Sequence, residues 1–562
     1  MGASRVEERL MCAMGLFQAS PIAFESCEAL PFGGVLFMLP FLLECGLLSY
    51  SHHYSQRKGY YNFNSLFIIL AFCFLCRIKS VEQIKRYSPG EFGKLVGYDR
   101  IPEVRTIRYM IKEITGQKCV ETWAAELSKS WIEEETPELY YVDGHVQVYH
   151  GTLANLGKKH VSRQRLCLPG MMEFWVNASD GAPYFCITAQ VNEKMIEMIE
   201  SEIVPQLLKL HSVSPEHQQR MKECAEVPLF TLVFDREARS PDFFAGLWDQ
   251  HRIAVITYRK NVKDKWDESL FKEYPVKTTM GEVKMKLHEK KLDASKCLMR
   301  EVRKLGNDQH QTSIVTTNPV ITTEAIASHM FARWGQENFF RYMRQDYAID
   351  KIVQYSVDEI NTNFKVVNQE YNNITCRIKK EREKSGRREA KLYQYRGKNP
   401  LLQEDENENK KWMKKNLELF EEIQKVKQQI SFLVDKRKSI PYKITLDEMP
   451  QEIRYNRLNK ESKILMNVLK MICYRAETAF ANLLAPHYKR AHQEIRMLVK
   501  TVINTPVNMN VDPINEELQI TLYPLANQRS QEAIRKICDT LNETKTVYPD
   551  TKLKLVYKIA TF

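Results

Sequence analysis

Tyr140-Tyr141-Val142-Asp143-Gly144-His145-Val146-Gln147-Val148-Tyr149-His150-Gly151 is the stretch on which the fold turns. Read as a strand, it places Tyr141, Asp143, His145, Gln147 and Tyr149 on one face and Val142, Gly144, Val146 and Val148 on the other. One face can bury while the other carries a carboxylate. Asp-Gly is also a common hairpin-turn pair, so the stretch alone allows a strand or a turn.

Two later stretches favour the strand. Leu229-Phe230-Thr231-Leu232-Val233-Phe234-Asp235-Arg236-Glu237 is an almost unbroken apolar run ending in an acid. Such a run suits a strand buried on both faces, and Asp235 leaves it where open sheets place their ligands. Thr323 to Arg344, TEAIASHMFARWGQENFFRYMR, has helical periodicity, with Thr323 as expected N-cap and Glu324 in the first turn. Met330, Arg333, Glu337, Arg341 and Arg344 then share a face. An acid between arginines on a helix is usually a surface ion pair, and that reading stands beside the functional one.

Between these anchors, Arg163 to Leu168, Met172 to Val176 and Tyr184 to Ala189 read as short strands, the first two separated by a break at Pro169-Gly170. An amphipathic helix, Glu193 to Leu210, precedes the Asp235 strand. The short helix Asp242 to Trp248 and the buried strand Ile253 to Tyr258 follow it. The order is three strands, helix, strand, helix, strand and finally the Glu337 helix. It predicts an α/β, ribonuclease H-like core in which two strand-borne aspartates and a helix-borne glutamate converge.

The chain resembles the acidic-triad (Asp-Asp-Glu) transposases of bacterial insertion sequences, in the group with a Tyr-x2-Arg-x3-Glu-x6-Lys signature. Asp143, Asp235 and Glu337 match the three acids, and Arg333 matches the signature arginine. Met330 stands where tyrosine is usual and Arg344 where lysine is usual. Arg344 keeps a cation for phosphate, whereas Met330 donates no hydrogen bond. The spacer from Tyr258 to Thr322 corresponds to the β-rich insertion of that group.

The resemblance implies cleavage of transposon ends and strand transfer into target DNA. Both steps are in-line displacements at phosphorus, for which two divalent ions about 3.5–4 Å apart stabilise attacking and leaving oxygens. Magnesium prefers carboxylate oxygen and water; manganese is the expected substitute. Asp143 is expected to bridge both ions, with Asp235 and Glu337 on either side and Arg333, Arg341 and Arg344 near DNA phosphates. His145 either contacts the nucleophile or DNA, or is a structural histidine bonded to backbone. The implied partner is double-stranded DNA, bound by a homodimer on paired ends. A catalytically inactive DNA-binding remnant or regulator is the alternative, for which Met330 and Arg344 leave room.

Composition sets wider bounds. The 562 residues suggest roughly three or four domains. With 44% hydrophobic and 27% charged residues, the chain is an ordinary globular one. A net charge of +12 and pI near 8.9 favour a polyanionic partner without requiring it. Thirteen cysteines form no paired framework, and Cys73 and Cys76 lack a second pair for zinc, so they read as buried free thiols, which fits a reducing cytoplasm; the resemblance further implies a bacterial, nucleoid-associated location.

Phe32 to Tyr50 and Leu66 to Cys76 are strongly apolar. Pro40 and Glu44 interrupt the first, and the second falls short of the ~20 residues a membrane span needs. No basic region leads into an apolar core as in a signal peptide. Buried helices of a small N-terminal domain are expected instead, with no membrane partner.

Within Arg77 to Gly116, Ser80 to Tyr87 and Glu91 to Val96 read as helices separated by a Pro89-Gly90 turn, and Pro102 opens a third. Val104, Ile107, Ile111 and Ile114 stripe that helix beside Arg105, Arg108 and Lys112. This edge either enters a major groove or is a solvated charged face. From Arg377 to Lys398 a basic run with Tyr393 and Tyr395 either tracks phosphates or is a charged linker. Trp412, Leu419, Ile423, Val426, Ile430 and Leu433 form a seam of fewer than about four heptads broken by Asn416, expected to pack on its own chain or a second protomer. Helices are expected at Asn459 to Leu484 and His487 to Thr501. A strand, helix and strand are expected at Leu518 to Tyr523, Gln531 to Leu541 and Lys552 to Ile559.

The reading divides the chain into an apolar helical region (1–76), a helix-turn-helix-like DNA-binding segment (77–130) and a catalytic domain (131–350, insertion near 259–322). A basic linker (351–400), a helical region (401–510) and a strand-helix-strand unit (511–562) complete it.

Overall fold

The computed structural model describes residues 4–561 except 56, 152–155, 162–163, 191–192, 239, 261, 263, 279–280, 295–296, 351–356, 359–364, 398–405, 446–447, 449–456, 459, 489 and 491. The Arg163 end of one expected strand and the Lys398 end of the basic run lie outside the described residues.

The N-terminal part comprises α1 (Val6–Ala13), β1 (Cys27–Leu30), α2 (Leu39–Glu44), α3 (Phe63–Leu75), α4 (Pro89–Leu95), α5 (Val104–Gly116) and α6 (Val120–Glu135). Asn62 caps α3 through the Ser65 amide, and Ser88 caps α4 with Pro89 in its first turn, so Pro89-Gly90 starts a helix instead of turning the chain. Ser80 to Tyr87 contains only a 3-10 helix, Val81–Arg86.

The central part begins with β2 (Leu139–Val148), β3 (Lys158–Val161), β4 (Leu166–Asn177) and β5 (Pro183–Gln190). A helix follows as α7 (Met195–Met198), a π turn and α8 (Val204–Leu210), then α9 (Pro215–Glu223), β6 (Phe230–Phe234), α10 (Pro241–His251) and β7 (Ile253–Tyr258). The insertion supplies β8 (Lys272–Thr278), β9 (Gly281–Ala294), β10 (Cys297–Leu305) and β11 (Gln311–Thr316), and α11 (Thr323–Tyr347) closes the part. Thr322, one residue before the expected cap, accepts from the Ala325 amide. The Pro169-Gly170 break is absent. β4 runs through it because a Cβ at Gly170 would lie 2.1 Å from the Gln147 carbonyl, so glycine lets β2 approach closely.

Next come β12 (Val357–Asp358), β13 (Lys365–Val367), α12 (Gln369–Arg396), α13 (Glu406–Lys438), β14 (Lys443–Thr445) and β15 (Arg457–Leu458). The chain ends with α14 (Lys460–Leu484), α15 (His492–Asn504), β16 (Val507–Asp512), β17 (Glu517–Leu522), α16 (Gln528–Glu543) and β18 (Lys554–Ile559).

Two compact units result, one of Met1–Gly151, Gly157–Ser356 and Asn459–Phe562, the other of Thr152–Leu156 and Val357–Leu458. The sequence reading drew different boundaries. In the first unit a ten-stranded mixed sheet runs β3-β4-β2-β6-β7-β11-β10-β9-β8, with β5 on β4. β2, β4 and β5 are antiparallel, β6 joins β2 in parallel, β7 joins β6 in parallel, and the insertion extends the same sheet from β7.

The apolar N-terminal region is not a domain of its own. β1 pairs with β16, and a Cβ on Gly34 would lie 1.7 Å from the Val502 carbonyl. The core that buries α3 also contains residues of α14, α15, α16 and the central strands. The described cysteines are free. Cys12, Cys73, Cys76, Cys473 and Cys538 are buried, but Cys167 and Cys376 are exposed, contrary to a uniformly buried set. Among the described residues, no helix is long and apolar enough to cross a membrane.

In the second unit the basic run is helix, not linker. Ile374, Ile378 and Leu392 of α12 pack against Leu419, Ile423 and Leu433 of α13, so the arm packs on its own chain. The seam-breaking Asn416 accepts a hydrogen bond from Arg396 at 3.3 Å.

The α11 helix lies within backbone contact of the β4–β5 turn. A Cβ at Gly335 would be 2.9 Å from the Ser179 carbonyl. Gly335→Ala should therefore lower stability by roughly 1–3 kcal/mol. Gly246→Ala, in open space within α10, should raise it by up to ~1 kcal/mol. Chemical denaturation of both variants checks the pair; a neutral Gly335→Ala would mean that the helix shifts freely on the sheet.

Candidate functional site

Strand pairing sets the first two acids. Asp143 faces Trp175 in the β2–β4 register, so Asp143-Gly144 lies within a strand and not in a turn. The parallel β2–β6 ladder pairs Val142 with Phe234, and the next residues along are Asp143 and Asp235. β6 is buried throughout, which leaves Asp235 as the half-buried polar exit at its C-terminal end. The face bearing Tyr141 is covered by α11: Tyr141 packs with Val233, Ile256, Ile326, Ala327 and Met330. The Tyr141 hydroxyl donates to the His329 carbonyl at 3.0 Å.

Gln336 then fixes the helix where it crosses the strand ends. Its buried side-chain amide donates to the Tyr141 carbonyl at 3.2 Å and to Asn177 Oδ1 at 2.9 Å. Asn177 in turn donates to the Gly181 carbonyl at 2.9 Å. Glu337, the next residue, points outward and is exposed. Arg333 links the acids, reaching Glu337 Oε1 at 2.7 Å and lying 4.0 Å from Asp143 Oδ2.

Burial pushes the Asp143 carboxyl up to about 6, against the opposing pull of Arg333 and the Gly144 amide, with Asp235 and Glu237 adding to the rise. A quarter of its side chain stays open to solvent, so crowding by protein atoms and like charge, rather than full enclosure, raises it. Tyr258 at the end of β7 is raised by burial and feels Arg333, Glu337 and Asp235. Lys159 of β3 is lowered by burial and feels Glu237. Arg333 thus stands between Asp143 and Glu337, while Asp235 and Glu237 are near enough to act on the Asp143 carboxyl and Glu237 on Lys159. The four carboxyls offer hard oxygen donors, the kind that suits a magnesium-class cation. Glu237, Tyr258, Lys159 and Gln336 were not selected from sequence. Only Glu237 had a local signal, two residues beyond Asp235.

The other expected site residues divide. Met330 is fully buried in the core beneath α11, so its position contributes packing and no polar group. His145 is buried and stacked on Phe340 with centroids 5.2 Å apart, which places it in the protein interior. Arg341 is exposed one turn beyond Glu337, while Arg344 is partly buried and donates to the Phe340 carbonyl at 3.1 Å. On α5, Val104, Ile107 and Ile114 are buried and Ile111 partly so, while Arg105, Arg108 and Lys112 are exposed, Arg108 being paired with Glu82. The three acids are not drawn within 4.8 Å of one another; among the described residues the group that is consists of His52, His53 and Glu126.

A family model described as "Transposase protein" matches residues 1–561. No curated protein matches the chain. Among solved structures, the piggyBac transposase synaptic complex with hairpin DNA, determined by cryo-EM, is similar at 11% identity and a TM-score of 0.26. That match covers 54% of this chain and 63% of the other, so the chain spans less than two thirds of that structure's length.

The raised Asp143 carboxyl has a defined sign. The folded protein holds this proton up to about pH 6, whereas an unfolded aspartate releases it near pH 4. Its contribution to stability is therefore full below about pH 4 and is lost as pH rises through about 6. Asp143→Asn should be more stable than the parent at pH 7 by roughly 2–3 kcal/mol, with the gap closing by about pH 4. Denaturation curves at both pH values test this; a gap independent of pH would mean that Asp143 is an ordinary solvated carboxylate.

Proposed function

The chain belongs to the transposase family whose model spans residues 1–561, and from that premise we propose that it cuts the ends of a transposable element and joins them to target DNA. The observation that carries this reading is the parallel β2–β6 register, which sets Asp143, midway along β2, beside Asp235 at the C-terminal end of β6, with Arg333 of the Arg333–Glu337 pair 4.0 Å from Asp143. The strand order β5-β4-β2-β6-β7, with its three antiparallel and two parallel members, supports a ribonuclease H-like core. The finer placement proposed is the bacterial insertion-sequence group, with Met330 and Arg344 as departures from its signature.

Asp143, Asp235 and Glu337 would hold the divalent ions. Bound there, magnesium would stabilise the attacking and leaving oxygens of phosphodiester displacement. The protein's own part is to gather negative charge without neutralising it. Arg333 faces Asp143 and Glu337, and burial keeps the proton on Asp143 until about pH 6 in spite of it. A DNA phosphate arriving at the site would compete with Glu337 for the Arg333 guanidinium, whose fork suits a phosphate as well as a carboxylate. Arg341, exposed and one turn on, offers a second cation on the same helix face. Arg105 and Lys112 on α5 offer exposed cations to duplex DNA. Double-stranded transposon ends and target are the proposed partners, bound by a homodimer.

A labelled duplex carrying the element's own ends, incubated with magnesium, tests the reading. Intact protein should nick at the end. Asp143→Ala, Asp235→Ala and Glu337→Ala should each lose about a thousandfold or more in rate, the equivalent of several kcal/mol of transition-state stabilisation, while still binding the duplex. Undiminished nicking in these variants would remove the three acids from the proposal. Binding without nicking by the intact protein would instead identify an inactive DNA-binding remnant.

A further inference from the structure

A second cluster of ligating groups stands apart from the three acids. His52 ends a 3-10 helix, Ser49–His52, and His53 follows it. Both aim Nε2 at the same oxygen of Glu126 on α6, at 3.0 Å from His52 and 2.7 Å from His53, and the three ligand atoms all lie within 4.8 Å of one another. The two imidazoles face each other with centroids 3.9 Å apart. His53 is mostly covered, with 12% of its side chain exposed, while His52 and Glu126 are open to solvent at 61% and 51%.

The backbone that carries them is pinned independently. Trp123, three residues before Glu126, donates its indole N–H to Ser49 Oγ at 3.1 Å. Leu127, the residue after Glu126, lies against Gly46, where a Cβ would be 2.4 Å from its Cδ2. Ser55, two residues after His53, donates its amide to Gln117 Oε1 at 3.0 Å. The loop is thus docked on α6 before the histidines and on the α5–α6 connection after them, so their convergence on one carboxylate is built into the fold.

We propose that His52, His53 and Glu126 bind a zinc-class divalent ion, with water completing the coordination. Two imidazole nitrogens and one carboxylate oxygen favour zinc over magnesium, whose preference is for oxygen alone. Three protein ligands and an open side fit a tetrahedral ion with one exchangeable position. The ion would clip the loop after the first apolar segment to α6, the helix that leads into β2. Without it, the same carboxylate oxygen is hydrogen-bonded by both imidazoles, so the geometry survives in either state.

Zinc titration by calorimetry, with cobalt absorption as spectroscopic probe, tests the site in a chain carrying Asp143→Asn, Asp235→Asn and Glu337→Gln, so that the first set of acids cannot contribute. About one equivalent of zinc per chain should bind against a weak chelator, and cobalt should give visible bands of a nitrogen- and oxygen-ligated ion. His53→Ala and Glu126→Gln should lose that equivalent, and His52→Ala should weaken it by about tenfold or more. Zinc should raise the melting temperature of the parent but not of Glu126→Gln, a near-isosteric change at a half-open position that leaves the fold intact. Absence of zinc binding in the acid-substituted chain would overturn the proposal. So would an equivalent retained by Glu126→Gln.

Discussion

The backbone-to-backbone approach of α11 to the β4–β5 turn is the constraint on which the site depends. A helix normally stands off a sheet by the depth of its side chains, about 10 Å between layers. Here Gly335 and Gly181 remove those side chains from the contact, and Gly181 adopts the positive φ (+93°) that glycine tolerates. The space gained is used by Gln336, which reaches strand carbonyls directly. Glu337 then has no freedom along the helix axis: it must emerge near Asp143, midway along β2, and the C-terminal end of β6. Arg333, one turn earlier, must lie between the acids.

Two buried polar networks hold the far side of this arrangement. Glu173 of β4 accepts from Gln147 and Asn467 at 2.6 Å each and lies 3.3 Å from Lys463 Nζ, all of them buried. Arg77, just after α3, meets Glu477 of α14 at 2.7 Å, Asp346 of α11 at 3.1 Å and the Tyr342 hydroxyl at 2.7 Å. Buried ion pairs add little net stability, yet losing one partner is costly because a charge is left unpaired. They therefore act as register marks, since α11 and α14 can satisfy them in one alignment. The interlocked N- and C-terminal segments of this unit are what bring α14 there, so residues far from the acids contribute to placing them.

Local periodicity carried much of this information. The alternation of Tyr141, Asp143 and Gln147, the apolar run before Asp235 and the 3.6-residue period around Glu337 all report on single elements, and those elements formed where they were read. The errors lie where the deciding contact is remote. Pro169-Gly170 reads as a break because the carbonyl of Gln147, which explains the glycine, is not adjacent in sequence. The pairing of β1 with β16 joins residues nearly five hundred positions apart and leaves no local trace. The basic run in α12 looked like a linker because its buried stripe, Ile374, Ile378 and Leu392, is thin among helix-favouring lysine, arginine and glutamate. His52, His53 and Glu126 escaped notice because an adjacent histidine pair and one helical acid match no metal-ligand spacing.

The acids themselves are where the sequence works against its own stability. Burial, with a smaller push from the neighbouring Asp235 and Glu237 charges, raises the proton affinity of Asp143 and holds it near 6 against the pull of Arg333. Further basic residues around Asp143 would relieve this, and the chain has them in surplus, with 82 lysines and arginines against 70 acids. It spends them elsewhere. The cations of α5 and much of α12 face solvent, while Arg333 serves Asp143 and Glu337. Such a separation of charge costs folding energy in the isolated chain, and under the proposed function it would be recovered when cations meet the acids and polyanion meets the basic surfaces. Stability and ligand binding are then two readings of one uncompensated charge distribution.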